Sequence, residues 1–424
     1  MQMIQTKYNN PQRVEKPLPK KYGQGNFLNF LLLNLIVVCP VIIGSNSLVL
    51  AQGNLQNPLE ITEIDPLLPT GGEARELTNQ ERRQLINRLT RLDQQAQVFL
   101  RAGDLDNTLL TWNRFLRLSR SLGTVPEIQA LGRIGDIAWN QNITKQVNTI
   151  SDRLQVIQRT QQEKIDTPTL QALGTAYQQL RSPTLAIPIY RQLLAQAKEK
   201  QDINATETNL RILGQLHMDW FDYPQAALTY QELFDFSIKI NDLATQVIYL
   251  EELAYIYDQL KEQEKSIAIK QKLIVYYQAK PELQVKIPNL LSAIAASYAT
   301  LNNPQAARDN YQQAYEIAIA AKQFAAARDA LQGLALLYQT YDQPNTALQI
   351  YQILIQVNQQ SYDYYYSMNT YDRMGQIYLQ QKDYAQALNV FTEGLKIARS
   401  LQYQELYFSA QVERIRDLLA NNPR

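Results

Sequence analysis

The chain of 424 residues has one cysteine and one histidine. Cys39 falls in a segment expected to be removed, so the remaining chain has no disulfide, no thiol nucleophile and no Cys-ligated metal. His217 stands alone, with no Ser–His or Cys–His spacing, and there is no HExxH, CxxC or acidic calcium loop. A transition-metal site is not expected, and no cofactor is called for. An excess of one charge is missing too. The 41 basic and 40 acidic residues give a net +1, which carries no nucleic-acid footprint. What remains is 45% hydrophobic, ample for a folded body without catalytic chemistry.

Residues 1–25 carry Lys7, Arg13, Lys16, Lys20 and Lys21 against one acid, Glu15. Phe27 to Ile43 is apolar apart from Asn29, Asn34 and the break at Pro40, and small residues follow to Ala51. This is the order of a signal peptide, expected over 1–51 with the cut after Ala51. Its alternative is an uncleaved anchor that retains 27–50. Both keep the basic flank inside and export the rest. Removing five basic residues and one acidic residue turns the net +1 into −3. Residues 52–77, with Pro58, Pro66, Pro69 and Gly71-Gly72, read as an exposed, flexible linker. Thr78-Asn79-Gln80-Glu81 has the order of a capping box, so the folded body is expected over 78–424.

Within that body four columns recur. Small residues stand at Ala96, Gly135, Gly174, Gly214, Ala254, Ala295, Ala335 and Gly375, spaced by 39 to 41 residues. Twelve residues on come Thr108, Val147, Ala186, Ala226, Ser266, Ala307, Ala347 and Ala387. Three residues after the first slot lie Phe99, Ala138, Tyr177, His217, Tyr257, Tyr298, Tyr338 and Tyr378. Four after the second lie Trp112, Ser151, Tyr190, Tyr230, Lys270, Tyr311, Tyr351 and Phe391. Small residues where two helices approach, ringed by aromatics, describe a helical hairpin repeated eight times. The second copy lacks both aromatics.

The pattern Tyr371…Met374-Gly375…Tyr378…Ala387…Phe391 resembles the tetratricopeptide (TPR) signature, and the resemblance covers roughly 85–420. It implies an all-α fold: a right-handed α-solenoid of about eight TPR hairpins. Ser182-Pro183 and Asn303-Pro304 mark hairpin turns, whereas Pro188 falls inside a second helix and predicts a late start or a kink there. A last helix over 404–420, apolar at Leu406, Ala410, Ile415, Leu418 and Leu419, is expected to close the open end.

The resemblance further implies a concave groove lined by the first helices of the repeats. Its inner positions would hold seven acids, Asp93, Asp136, Asp219, Glu251, Asp258, Asp329 and Asp372, and two bases, Arg101 and Arg211. A basic or amide-rich protein segment would fit such a groove. The expected contact residues are Arg211, Gln215, Asp219, Glu251, Tyr255, Asp258, Gln332, Asp372 and Gln376. The implied function is a non-catalytic protein–protein scaffold, and the Gln-rich, Cys-free, signal-bearing pattern resembles exported TPR proteins of cyanobacteria, which implies a periplasm or thylakoid lumen and a role in assembly of membrane or envelope complexes. A membrane would be met only through the uncleaved anchor. The remaining alternative is an enzyme with a site in the first repeats, around Asp136, Trp139 and Asn140.

Overall fold

The structure is a computed structural model that describes residues 57–61, 65–69, 75–160 and 165–421. The expected leader, the cut after Ala51 and the alternative anchor over 27–50 lie outside these residues. The described residues form seventeen α-helices and no strand. They pair as α1 (Asn79–Arg101) with α2 (Leu105–Ser119), α3 (Thr124–Asn140) with α4 (Thr144–Thr160), and α5 (Thr167–Gln179) with α6 (Pro183–Glu199). Next come α7 (Ile203–Asp219) with α8 (Tyr223–Lys239), α9 (Leu243–Gln259) with α10 (Gln263–Gln278), and α11 (Ile287–Thr300) with α12 (Pro304–Ala320). The last pairs are α13 (Phe324–Thr340) with α14 (Pro344–Gln360) and α15 (Tyr364–Gln380) with α16 (Tyr384–Leu401), followed by α17 (Glu405–Asn421). From α5 onward each helix packs on its neighbours in sequence, the arrangement of an α-solenoid of eight hairpins with a closing helix.

Caps set the helix boundaries. Thr78 and Glu81 form the capping box at the start of α1. Aspartate does most of the remaining work: Asp104, Asp166, Asp202, Asp222, Asp242, Asp363 and Asp383 each accept a bond from a first-turn amide. Pro183, Pro304 and Pro344 open their helices, where a missing N–H costs nothing. Asn303 caps through its side chain, but Ser182 does not. Pro188 does not delay α6, which starts on register at Pro183 because Ala186 N–H already bonds the Ser182 carbonyl.

The small-residue columns are buried in all eight hairpins, and the second column reaches zero exposure at Thr108, Ala186, Ala226, Ser266, Ala307, Ala347 and Ala387. What lies opposite the first column is the ring of the fourth. A Cβ added to Gly375 would come 2.4 Å from the Phe391 ring, one on Gly174 2.9 Å from Tyr190, and one on Gly214 3.0 Å from Tyr230. The small residue is therefore needed to seat an aromatic, a closer reason than helix approach alone. In the fifth hairpin that aromatic is replaced by Lys270, buried on a carboxylate.

The N-terminal hairpins differ. With Ala138 and Ser151 in place of aromatics, the neighbour of Gly135 is Leu180 of the next repeat, whose side chain would lie 2.7 Å from an added Cβ. Gly132 lets α3 press directly on α5, where a Cβ would fall 3.0 Å from Ala176. Within the segment expected as an exposed linker, 57–61 and 65–69 instead dock on the helices. Leu59 is 1% exposed, and Asn57 donates to the Thr149 carbonyl at 2.9 Å. Arg117 donates to the Pro58 carbonyl at 3.0 Å, and Arg88 donates to the Leu67 carbonyl. Arg114 grips Asp65 with two bonds of 2.7 and 2.9 Å, which holds that carboxyl below its usual range. A strap of 57–61 and 65–69 thus lies across α1, α2 and α4. Composition alone reads as a linker here because Pro-rich segments without periodicity look alike whether they float or dock.

The closing helix spans 405–421, one residue later than expected. It buries Phe408, Val412 and Ile415, while Leu406 is 87% exposed and Ala410 is exposed. The buried stripe is rotated from the expected one because Phe408 meets Phe391 edge-on at 6.2 Å and seats against Gly394.

Candidate partner-binding face

Open clefts lie between neighbouring odd-numbered helices. One lies between α3 and α5, lined by Val125, Gln129, Gln171, Thr175 and Gln179. A central cleft of about 500 Å³ is lined by Gln178 of α5, Thr208, Arg211, Ile212 and Gln215 of α7, Tyr230 of α8, and Ile248, Tyr249 and Glu252 of α9. A third, of about 640 Å³, lies between the α13–α14 turn and α15 and includes Gln339, Asp372, Gln376, Gln380 and Gln381. Glutamine recurs in all three.

Arg211 and Gln215 of the expected residues meet in the central cleft. Gln215 donates at 2.6 Å to Asp219, one turn on, which reaches a neighbouring cleft with Trp220 beside Ser182 and Pro183. Arg211 has no ion pair among the described residues. Asp372 and Gln376 meet in the third cleft and are tied to the closing helix: Tyr407 donates to Asp372 at 2.6 Å, and Gln376 donates to the Tyr407 oxygen at 3.0 Å. Burial and the Asp372 charge push the Tyr407 hydroxyl up to about 12. Gln332, on α13, is half-buried and lies outside these clefts.

Glu251, Tyr255 and Asp258 share one face of α9, but the two carboxylates are not free. Asp258 accepts two bonds of 2.7 and 2.8 Å from Lys270, whose side chain is 5% exposed, and a third from Ser266. Glu251 accepts from Lys286 at 2.7 Å and from the Tyr277 hydroxyl. Burial opposes its charge, yet these two donors outweigh burial and hold its carboxyl below the usual range. Substituting Asp258 would strand a buried ammonium, so Asp258 belongs to the fold as much as to the face. Tyr255 is half exposed and meets Tyr223 edge-on at 6.3 Å.

The acid excess is reduced in the same way elsewhere. Asp93 pairs with Arg133 at 2.9 Å, Asp136 with Arg181 at 3.4 Å and Asp329 with Arg328 at 3.1 Å. Five of the seven acids therefore have basic partners, all of them outside the nine inner positions. Counting charge within those positions overlooks them. Among the described residues, Asp219 and Asp372 keep only neutral donors. Glu252, which sequence reasoning passed over, is half-buried without an ion pair to any described residue; burial, then Glu251, raise its carboxyl above the usual range. Around Asp136, Trp139 and Asn140 the structure shows an Asp136–Arg181 pair and a Trp139 that is 43% exposed. Among the described residues no group of three or more His, Cys, Asp or Glu side chains could hold a metal ion. No described helix is long and apolar enough to cross a membrane.

Residues 322–400 match the tetratricopeptide repeat family. That stretch runs from the start of α13 almost to the end of α16, and the four columns carry its pattern back through the earlier hairpins. No curated protein matches the chain. Solved structures resemble it at low identity. BtubC (BKLC) from P. vanneervenii is 16% identical, with a TM-score of 0.37, over 52% of this chain and 92% of that one. RapI in its apo form is 14% identical, with a TM-score of 0.41, over 69% and 87%. Aspartyl phosphate phosphatase F from Bacillus subtilis is 13% identical, with a TM-score of 0.40, over 69% and 84%.

Proposed function

We propose that the repeats form a non-catalytic scaffold that holds a protein segment along the face of the odd-numbered helices. The observation that carries this reading is the series of open, glutamine-lined clefts between successive odd helices. A glutamine amide both donates and accepts, so a row of them matches an extended backbone, which offers one N–H and one C=O per residue. The uncompensated carboxylates Asp219, Glu252 and Asp372 favour lysine, arginine or amide side chains in that segment, while Arg211 sets its register. Tetratricopeptide repeats as a family serve protein–protein interaction, which supports the same reading.

The leader-like sequence of 1–51 supports export to a periplasm or thylakoid lumen, where a scaffold of this kind would assist assembly of membrane or envelope complexes. Site-specific photo-crosslinkers at Gln215, Gln376 and, on an even helix, Leu228 test the binding face in the native host. The reading expects one partner captured at Gln215 and Gln376 and not at Leu228. Equal capture at all three positions would overturn it. An intact mass beginning at Gln52 is expected for the exported protein, and retention of 27–50 would establish the anchored alternative.

A further inference from the structure

The eight turns inside the hairpins share one backbone, with the residue two positions before the second helix in the left-handed region. Seven of them place glycine, asparagine, aspartate, lysine or arginine there. The eighth is Phe221, at φ 59° and 74% exposed. A bulky aromatic is disfavoured at positive φ, and an exposed ring gains nothing from the core. Before it stands Trp220, 47% exposed, where the second and eighth hairpins have Gln141 and Gln381. Phe221 meets Tyr223 edge-on at 6.2 Å, and Tyr223 meets Tyr255, so an aromatic ridge runs from the turn onto the odd-helix face. Asp219 and Asp222 bracket the two aromatics in sequence. Asp219 accepts only from the Gln215 amide among the described residues, and the nearest basic group to Asp222 is the buried His217, at 3.3 Å.

We propose that Trp220 and Phe221 anchor a second contact, in which the partner segment leaves the odd-helix face over the α7–α8 turn. The segment is basic and amphipathic: an apolar side chain packs on the two rings, and a lysine or arginine stem crosses them toward Asp219 and Asp222. Aromatics ringed by polar groups are the usual anatomy of an interface anchor, and backbone strain retained at an exposed site fits a role in contact rather than folding. The inference rests on the binding face proposed above and extends it.

The test uses the whole protein and short labelled peptides that alternate leucine and lysine, with Glu-for-Lys and Ser-for-Leu versions as controls, read by fluorescence anisotropy. The double variant Trp220→Gln/Phe221→Asn borrows the turn of the second hairpin. It is expected to bind the leucine–lysine peptide about tenfold more weakly or worse, while its melting temperature stays level or rises, because asparagine suits the left-handed backbone. Undiminished binding, a lowered melting temperature, equal binding of the glutamate peptide, or no binding of the lysine peptide would each overturn the proposal. Sedimentation with anionic vesicles that is lost in the double variant would assign the ridge to a lipid surface instead, and also overturn it. Binding lost in Gln215→Ala but kept in the double variant would remove the ridge and leave the glutamine-lined face standing.

Discussion

The eighth hairpin and the second have nearly the same length and share a left-handed turn residue, but they fill the space beneath their glycines differently. In α15–α16, Gly375 receives the fully buried Phe391 ring, and Phe408 of α17 meets that ring edge-on. In α3–α4 the two aromatic slots hold Ala138 and Ser151, so α5 packs close at Gly132 and Leu180 fills the space at Gly135, while a polar cluster closes the other side. Arg153, 15% exposed, bonds Glu127 at 2.7 Å and Glu60 of the strap at 3.1 Å; Arg120 bonds the same Glu127 at 3.1 Å. The C-terminal repeats are thus held by shape within each hairpin. The N-terminal repeats are held by charge between segments about ninety residues apart in sequence.

The comparison breaks most sharply at Arg153. Arg153→Ala leaves Glu127 buried with half its partners and frees Glu60, a loss of about 4 kcal/mol. Hydrogen exchange should show faster opening of 57–61 and α3 while α13–α16 stay protected, as expected when each repeat contacts only its neighbours. Arg153→Leu with Glu127→Leu should recover much of the loss, since a well-packed apolar pair can replace a buried ion pair. Exchange that accelerated evenly along the chain would show that the two ends are not independently held.

The glycines sharpen it. Gly375→Ala drives a methyl into a ring that has no room to withdraw, a loss of about 2 kcal/mol, and Gly375→Leu loses more, about 3 kcal/mol. Gly135→Ala meets the Leu180 Cδ2 at 2.7 Å and its Cγ at 3.1 Å, an aliphatic side chain that yields more readily than a ring, so a smaller loss of about 1 kcal/mol is expected. Paired denaturant melts of the two alanine variants decide the point. Equal losses would mean that the aromatic seat is no tighter than the aliphatic one.

The same contrast explains what the sequence could disclose. Eight hairpins and the closing helix were legible because each column repeats at nearly constant spacing, and four columns reinforce one another. The strap was not, because Glu60 and Arg153 meet without any period to announce it. Lys270 stands in an aromatic slot, but nothing in the columns pairs it with Asp258, since a position rule sees each helix apart from its neighbour. Gln215, Arg211 and Asp219 do share one exposed stretch of α7. Which carboxylates stay uncompensated depends on bases reaching in from neighbouring elements, and that is decided only in the folded protein.

The smallest effect expected concerns His217, which stands where five of the other repeats place tyrosine and is 3% exposed. Burial disfavours its protonated form. The Asp222 carboxylate at 3.3 Å favours it less strongly, so the folded-state pKa lies below the ordinary value near 6.5. The unfolded chain then takes up a proton at a higher pH than the folded one. Stability from this group is complete above about pH 7, falls as pH drops through 6.5, and levels off below the folded pKa. His217→Tyr restores the residue common in that column and removes the titration, while Asp222 still caps α8. The melting temperature of the variant minus that of the parent should therefore be larger at about pH 5 than at about pH 7.5. A constant difference across that range would mean that His217 is protonated equally in both states, and that the third column tolerates a charged ring as readily as a phenol.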